Sequence, residues 1–283
     1  MLLWIVIMVM NKLELEEAAF RVRERIIRMA SDGGCFIGAA LSCVELIVYL
    51  YGNYLNINKE ILNNPKRDYF FLSKGHSVPA LYGTLVEFGF LEEDRLKNHL
   101  KTNDCIYWHP CRQIPGIEFH SGSLGHLLSV AVGVAIDCQI IGDNNRVVVI
   151  TGDGELNEGS NWEAILVAQA YHLDNLIVIV DRNEFQANVR TRDLIPLEPL
   201  MDKFEAFGWS VREAAGHDFT ELNNTILRIP FEPGKPNALI AHTRRGKGLP
   251  SIEARADRWF CNLSPEETDM LIEELYRKVR VIR

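Results

Sequence analysis

Three features are missing from this 283-residue sequence, and each absence narrows what it can be. No two of its six cysteines stand at C-x-x-C spacing, which argues against the common zinc and dithiol redox motifs. Basic residues are not in excess. The formal net charge is −8, and because phosphate backbones are held by basic patches, nucleic acid is a poor candidate partner. An anionic cofactor can still be held by local dipoles and a metal rather than by the global field. Finally, no apolar run has the roughly 20 residues that a bilayer-spanning helix needs. Met1–Met10 is almost wholly apolar, but it is short for a span and lacks the basic leading region and small-residue cleavage site of an export signal. Residues 1–12 therefore read as an apolar extension, with Met8 or Met10 as alternative starts, and no membrane association is expected. Free cysteines without an export signal suit a reducing cytoplasm. Cys105, His109 and Cys111 cluster, which leaves a small metal site open as a reading.

What is present is an ordinary globular balance of 47% apolar and 24% charged residues, enough for one sizeable core over residues 13–283. Leu13 to Met29 repeats apolar residues at helical spacing and ends at Ser31-Asp32-Gly33-Gly34. A second helix is predicted from Ser42 to Tyr51, with Ser42 as N-cap and Glu45 as its capping-box partner. Tyr69 to Leu72 reads as a short buried strand running into Ser73-Lys74-Gly75-His76, with a helix from Pro79 to Phe88 after it. Lys101 to Gly125 has little periodicity, and a long irregular segment inside a domain points to function, as do its aromatic and histidine residues. A small-residue helix covers Leu127 to Ile136. Arg146–Thr151 and Leu176–Val180 are continuous apolar runs, as expected of strands covered on both faces, with a helix from Trp162 to Tyr171 between them. Ala238–Thr243 is a third such run, and Pro265–Arg280 a closing helix. Strands alternating with helices give a doubly wound, mainly parallel α/β sheet with helices on both faces.

In such a sheet, ligands sit beyond the carboxyl ends of the strands. Asp153 and Asn183 each lie just past such an end, on two strands of one crossover unit, so their oxygens can converge. Magnesium takes hard oxygen ligands, typically together with phosphates. Gly152 and Gly154 remove Cβ atoms that would block a phosphate, and the helix that follows points its N-terminus the same way. These residues alone suggest a magnesium-diphosphate site.

The run from Gly152 to Asn183, GDGELNEGSNWEAILVAQAYHLDNLIVIVDRN, closely resembles the thiamine diphosphate motif of transketolases. The resemblance extends over residues 14–275 and includes SKGHSVPALY (73–82), His109-Pro110, PGIEFHSGSLGH (115–126) and KPNALIAHTRRGKG (235–248). It implies that Asp153, the side-chain oxygen of Asn183 and the carbonyl of Phe185 ligate magnesium. His76, Gly154 and Glu155 would serve the diphosphate, and Gly122, Ser123 and Leu124 the aminopyrimidine. His109 would face the ketol hydroxyl of the donor, a position that suits a group able to donate or accept near neutral pH. Glu158 and Glu163 match acidic residues at the subunit interface. His120, His126, His172, His217 and His242 are read as ordinary core or surface histidines.

Two positions depart from the family pattern. Histidines of the family stand here as Phe36 and Phe260, and phenylalanine neither donates a hydrogen bond nor relays a proton. The resemblance therefore implies a changed substrate pocket and a non-standard aldehyde acceptor. The sequence ends near where the cofactor-binding half of a full transketolase ends, so the family's activating glutamate is expected from a separate C-terminal subunit, in an α2β2 heterotetramer. The implied activity is transfer of a two-carbon ketol unit from a ketose to an aldehyde. A 2-oxo acid-decarboxylating carboligase, similar to 1-deoxyxylulose-phosphate synthase, and a non-catalytic regulatory subunit stay open as alternatives.

Overall fold

The structure, a computed structural model, describes residues 9–282, and side chains as far as 277. Most of the apolar leading segment thus lies outside the described residues. Helix α1 (Lys12–Met29) is started by Asn11, whose side chain accepts from Glu14 N while the Glu14 carboxylate reaches back to Asn11 N.

Helices α2 (Ile37–Ser42) and α3 (Val44–Tyr49) replace the single helix expected from Ser42, and a π turn, Leu50–Tyr54, continues them. The break falls at Cys43, with φ −107° and ψ 12°. Ser42 is therefore not an N-cap. It closes α2, and its Oγ lies 2.5 Å from Asp181 Oδ2 and 2.8 Å from Ala39 O. Glu45 does not reach back to it, because its carboxylate is held by Arg23 and by His217 Nδ1.

Five strands form one sheet: β1 (Tyr69–Leu72), β2 (Val147–Gly152), β3 (Leu176–Arg182), β6 (Ser210–Ala215) and β7 (Asn237–His242). A separate two-stranded ribbon holds β4 (Phe185–Gln186) and β5 (Val189–Arg190). The large sheet runs in the order β1-β2-β3-β7-β6, with every pairing parallel. Side chains alternate between two cores, as the period of two requires. Phe70, Val148, Ile150, Ile177, Ile179 and Leu239 face one core, shared with α1, α2 and α3. Phe71, Val147, Val149, Val178, Val180 and Ile240 face the other. The first layer also contains α4 (Val78–Glu87), α9 (Phe219–Ile226) and α10 (Pro265–Ile282). The second contains α5 (Leu127–Ile141), α6 (Gly159–Ala170) and α8 (Leu200–Ala206), while α7 (Thr191–Leu194) is a single turn after β5. Helices on both faces make the sheet doubly wound, as the sequence predicts.

The edge strand β6 was not predicted. In SVREAA, Arg212 and Glu213 are exposed and break the apolar run that marks the inner strands. Residues 101–125 carry no long regular element, as expected. Among the described residues no helix is long and apolar enough to cross a membrane.

Candidate active site

The carboxyl ends of β2 and β3 are neighbours, with Gly152 in register with Asp181. The turns beyond them bring Asp153 and Asn183 together, both buried. Successive backbone amides hold the two side chains: Glu184 N–H donates to Asp153 Oδ2 at 2.7 Å, and Phe185 N–H to Asn183 Oδ1 at 3.1 Å. Asp153 Oδ1 accepts from Gly154 N at 2.8 Å, and Oδ2 also from Arg182 Nη1 at 2.9 Å. Burial, and then the nearby Asp181 charge, push the Asp153 carboxyl up to about 6, against the pull of Arg182. A carboxylate so placed is poised to accept a compensating cation, and its partner is a carboxamide oxygen. This is the hard-oxygen donor chemistry of magnesium.

The two glycines differ in what they leave room for. A Cβ on Gly154 would meet Gln186 Cβ at 2.7 Å, so this glycine makes room for the β4–β5 ribbon. At Gly152 a Cβ would have no neighbour closer than 3.9 Å, and here the backbone does stand open. The segment after Asp153 is a 3-10 turn, Gly154–Asn157, and α6 proper begins only at Gly159. Glu155, expected beside the cofactor, is buried and spends its carboxylate on the loops. Its Oε1 accepts from Ser73 Oγ at 2.5 Å and Gly125 N at 3.0 Å, and its Oε2 from Gly152 N at 3.1 Å.

His76 follows β1 in the turn Gly75–Ser77. Burial, and then the Lys74 charge, push its imidazole down to about 3, so it stays neutral across the working pH range. His109 lies in the long irregular loop, also shifted down by burial. Gly122 is packed on that ring: at φ +134° a Cβ there would stand 2.5 Å from His109 Cδ2. Ser123 is exposed and Leu124 half-buried. Beside them opens a cleft of about 310 Å³ lined by Phe119, His120, Ser123, His126 and Leu127.

Phe36 and Phe260 come from opposite ends of the chain. An isolated bridge, Cys35 N to Cys261 O and Cys261 N to Cys35 O, each 3.0 Å, ties their neighbours together. The ring of Phe36 then lies 5.1 Å from Phe260, 4.8 Å from Trp259, 5.7 Å from His76 and 6.3 Å from His109, centroid to centroid. Trp108 closes the wall at 6.0 Å from Phe260. Cys105 points elsewhere, its Sγ 2.6 Å from Gln113 Oε1. Glu158, the N-cap of α6, and Glu163, within that helix, are both exposed. His217 bridges Glu45 and the Arg244 amide, a structural role.

Lys74, Asp181 and Arg245 are buried charged residues beside the site that carry no sequence-derived role. Arg245 stacks on Phe185, its guanidinium carbon 4.5 Å from the ring centroid, and its Nη1 donates to Ala187 O at 2.5 Å. Its Nε has no partner among the described residues, and burial brings its pKa down to about 10. A buried guanidinium with an open N–H suits a bound anion. Two of the three stand in the runs SKGH and TRRGKG, but nothing in the spacing says that these charges are buried.

Residues 25–276 match the family model described as transketolase, thiamine diphosphate binding domain. The chain is 41% identical over 265 residues to an apulose-4-phosphate transketolase subunit of Actinobacillus succinogenes, covering 93% of this chain and 96% of that one. It is 34% identical to the 6-deoxy-6-sulfo-D-fructose transketolase subunit SqwG of Clostridium sp., covering 86% of this chain and 88% of that one. Among solved structures, the transketolase of Campylobacter jejuni superimposes with a TM-score of 0.84 at 26% identity, covering 95% of this chain but only 43% of that longer one.

Proposed function

The chain belongs to the transketolase family and carries its thiamine diphosphate binding domain, and on that footing we propose that it is the cofactor-binding subunit of a two-chain enzyme moving a two-carbon ketol unit from a ketose donor to an aldehyde acceptor. The observation that carries this reading is the convergence of Asp153 and Asn183 at adjacent strand ends, held by the successive N–H groups of Glu184 and Phe185.

In this reading Asp153, the Asn183 oxygen and the Phe185 carbonyl hold magnesium, and the open backbone at Gly152 and the buried Arg245 favour the diphosphate. Bound thiamine diphosphate supplies an electron sink beside the carbonyl carbon, so that the bond next to it can be cleaved and remade. His76, kept neutral, can hydrogen-bond to a phosphate oxygen or a substrate hydroxyl without adding charge. His109, braced by Gly122, presents its ring where the donor's ketol hydroxyl is expected and can accept or return a proton there. The aromatic wall excludes water from that side.

A C-terminal subunit completes the site with the activating glutamate, in an α2β2 assembly in the cytoplasm. Two observations support a partner. Relatives of nearly the same length are called subunits. The outer side of α6 also exposes apolar groups beside Glu163, with Leu166 56% and Tyr171 57% accessible. The acceptor is a non-standard aldehyde, in keeping with the unusual sugars in the relatives' names. The test is a ketol-transfer assay on this chain mixed with its C-terminal partner. Turnover that needs both chains, thiamine diphosphate and magnesium is expected. Carbon dioxide release from pyruvate, or no turnover of any ketose, would contradict the reading.

A further inference from the structure

Beneath the candidate cation ligands lies an ion pair with almost no access to solvent. Asp181 is near the end of β3 and Lys74 follows β1, and both side chains are fully enclosed. A buried pair costs much to desolvate and adds little stability over apolar residues of the same size, so stability alone gives no account of it.

The surrounding hydrogen bonds do. Facing the Lys74 ammonium, Asp181 is a carboxylate and can only accept. Its Oδ2 takes Lys74 Nζ, Ser42 Oγ at 2.5 Å and Asn183 Nδ2 at 3.1 Å, while Oδ1 takes Thr243 Oγ1. Lys74 Nζ donates further to Ala39 O at 3.2 Å and Ser42 Oγ at 3.3 Å. Asn183 Nδ2 has a second acceptor in Ser42 Oγ, also at 3.3 Å. A carboxamide has one donor end and one acceptor end. Turned over, Asn183 would set its oxygen against the Asp181 carboxylate, two acceptors with no proton between them, and leave the Phe185 N–H facing an NH2 group. The amide nitrogen is thereby locked inward and Oδ1 outward, onto the turn whose adjacent N–H group holds Asp153. Lys74 O also accepts from Ser77 N at 2.9 Å, so the same pair anchors the turn that carries His76.

We propose that the buried Lys74–Asp181 pair is a positioning element that fixes the Asn183 carboxamide with its oxygen toward the cation. This rests on the magnesium reading above. Partners of this kind, one shell behind a metal ligand, typically change metal affinity by about 10- to 100-fold when altered.

The test is calorimetric titration of magnesium into the assembled two-chain enzyme at saturating thiamine diphosphate, with melting temperature measured alongside. Asp181→Leu removes the acceptor that orients the Asn183 amide, whereas an amide at 181 would keep its oxygen on the Lys74 ammonium and still accept from Asn183 Nδ2. Magnesium affinity should fall about tenfold or more, with cofactor binding recovered at high magnesium. Thr243→Val, which touches only the far oxygen of Asp181, should leave affinity within about twofold, below the effect expected of a direct positioning partner. Should Asp181→Leu fail to fold because it strands the Lys74 ammonium, Lys74→Met/Asp181→Leu removes both charges together with the acceptor of the Asn183 amide. It should weaken magnesium binding without a matching loss of melting temperature. Wild-type affinity in a folded Asp181→Leu protein, or in Lys74→Met/Asp181→Leu when that variant is the one tested, would overturn the proposal. Absence of magnesium binding by the wild type would instead overturn the reading beneath it.

Discussion

Phe36 and Phe260 meet edge to face, ring centroids 5.1 Å apart and planes at 71°, where two polar rings would have offered hydrogen bonds. Phe260 is 39% exposed, so it forms the rim of the wall rather than its interior. Gly34, at φ +85°, leaves the space it needs, since a Cβ there would stand 2.6 Å from Phe260 Cζ. The two phenylalanines contribute apolar contact and no donor, and therefore cannot themselves select a hydroxyl. The double variant Phe36→His/Phe260→His should shift acceptor preference toward hydroxylated aldehydes by about tenfold or more in relative kcat/KM, because a site that hydrogen-bonds a hydroxyl strongly rejects analogues lacking it. Identical acceptor profiles would remove the wall from the account of specificity.

The Gly122–His109 contact gives a second prediction. Gly122→Ala would force a Cβ to within 2.5 Å of the His109 ring in a backbone region that side chains rarely adopt. His109 must move, and kcat should fall at least about tenfold, since a displacement of about 1 Å in a reacting group costs about that or more. Circular dichroism should show the fold intact, which separates this outcome from unfolding.

Glu45 predicts the acid limb of stability. Burial opposes its ionisation, but the Arg23 guanidinium and the His217 imidazole override that and hold it down to about 2, below the ordinary 4.5. A carboxyl depressed in the folded state contributes stability in full above its unfolded value and loses it as pH falls through the folded one. Stability should therefore decline between pH 4.5 and about 2. Glu45→Gln should be less stable by about 3 kcal/mol at neutral pH, because it strands the buried Arg23, and its urea midpoint should change less across the same window.

The outer face of α6 tests the partner. Leu166→Arg places a charge on an exposed position that supports no core contact. Stability of the isolated chain should stay within about 0.5 kcal/mol, as surface substitutions usually do, while co-elution with the C-terminal subunit is lost. Unchanged assembly would move the docking face elsewhere.

Much of this architecture was legible because buried parallel strands announce themselves: Tyr69–Leu72 and Leu176–Val180 are unbroken apolar runs, and both are strands. Asp153 and Asn183 could be placed because a βαβ unit puts successive strand ends side by side. The edge strand Ser210–Ala215 escaped because half its residues face solvent. Ser42 misled because a serine before an apolar run looks like a cap, whereas its hydroxyl is turned to a carboxylate 139 positions away. Lys74, Asp181 and Arg245 escaped for a related reason. Whether a charge is solvated or buried is decided by what packs over it, and local sequence does not carry that. Phe36 and Phe260 were singled out by resemblance alone, and it is the Cys35–Cys261 bridge that brings them into contact.

The central claim is that Asp153 and Asn183 hold a magnesium-bound diphosphate in a site completed by a second chain. Calorimetric titration of thiamine diphosphate with magnesium into this chain alone, its partner alone and the mixture addresses it most directly. Tight, magnesium-dependent binding in the mixture, lost on Asp153→Ala, is predicted. Binding that ignores magnesium and survives Asp153→Ala, or no binding in any combination, would contradict it.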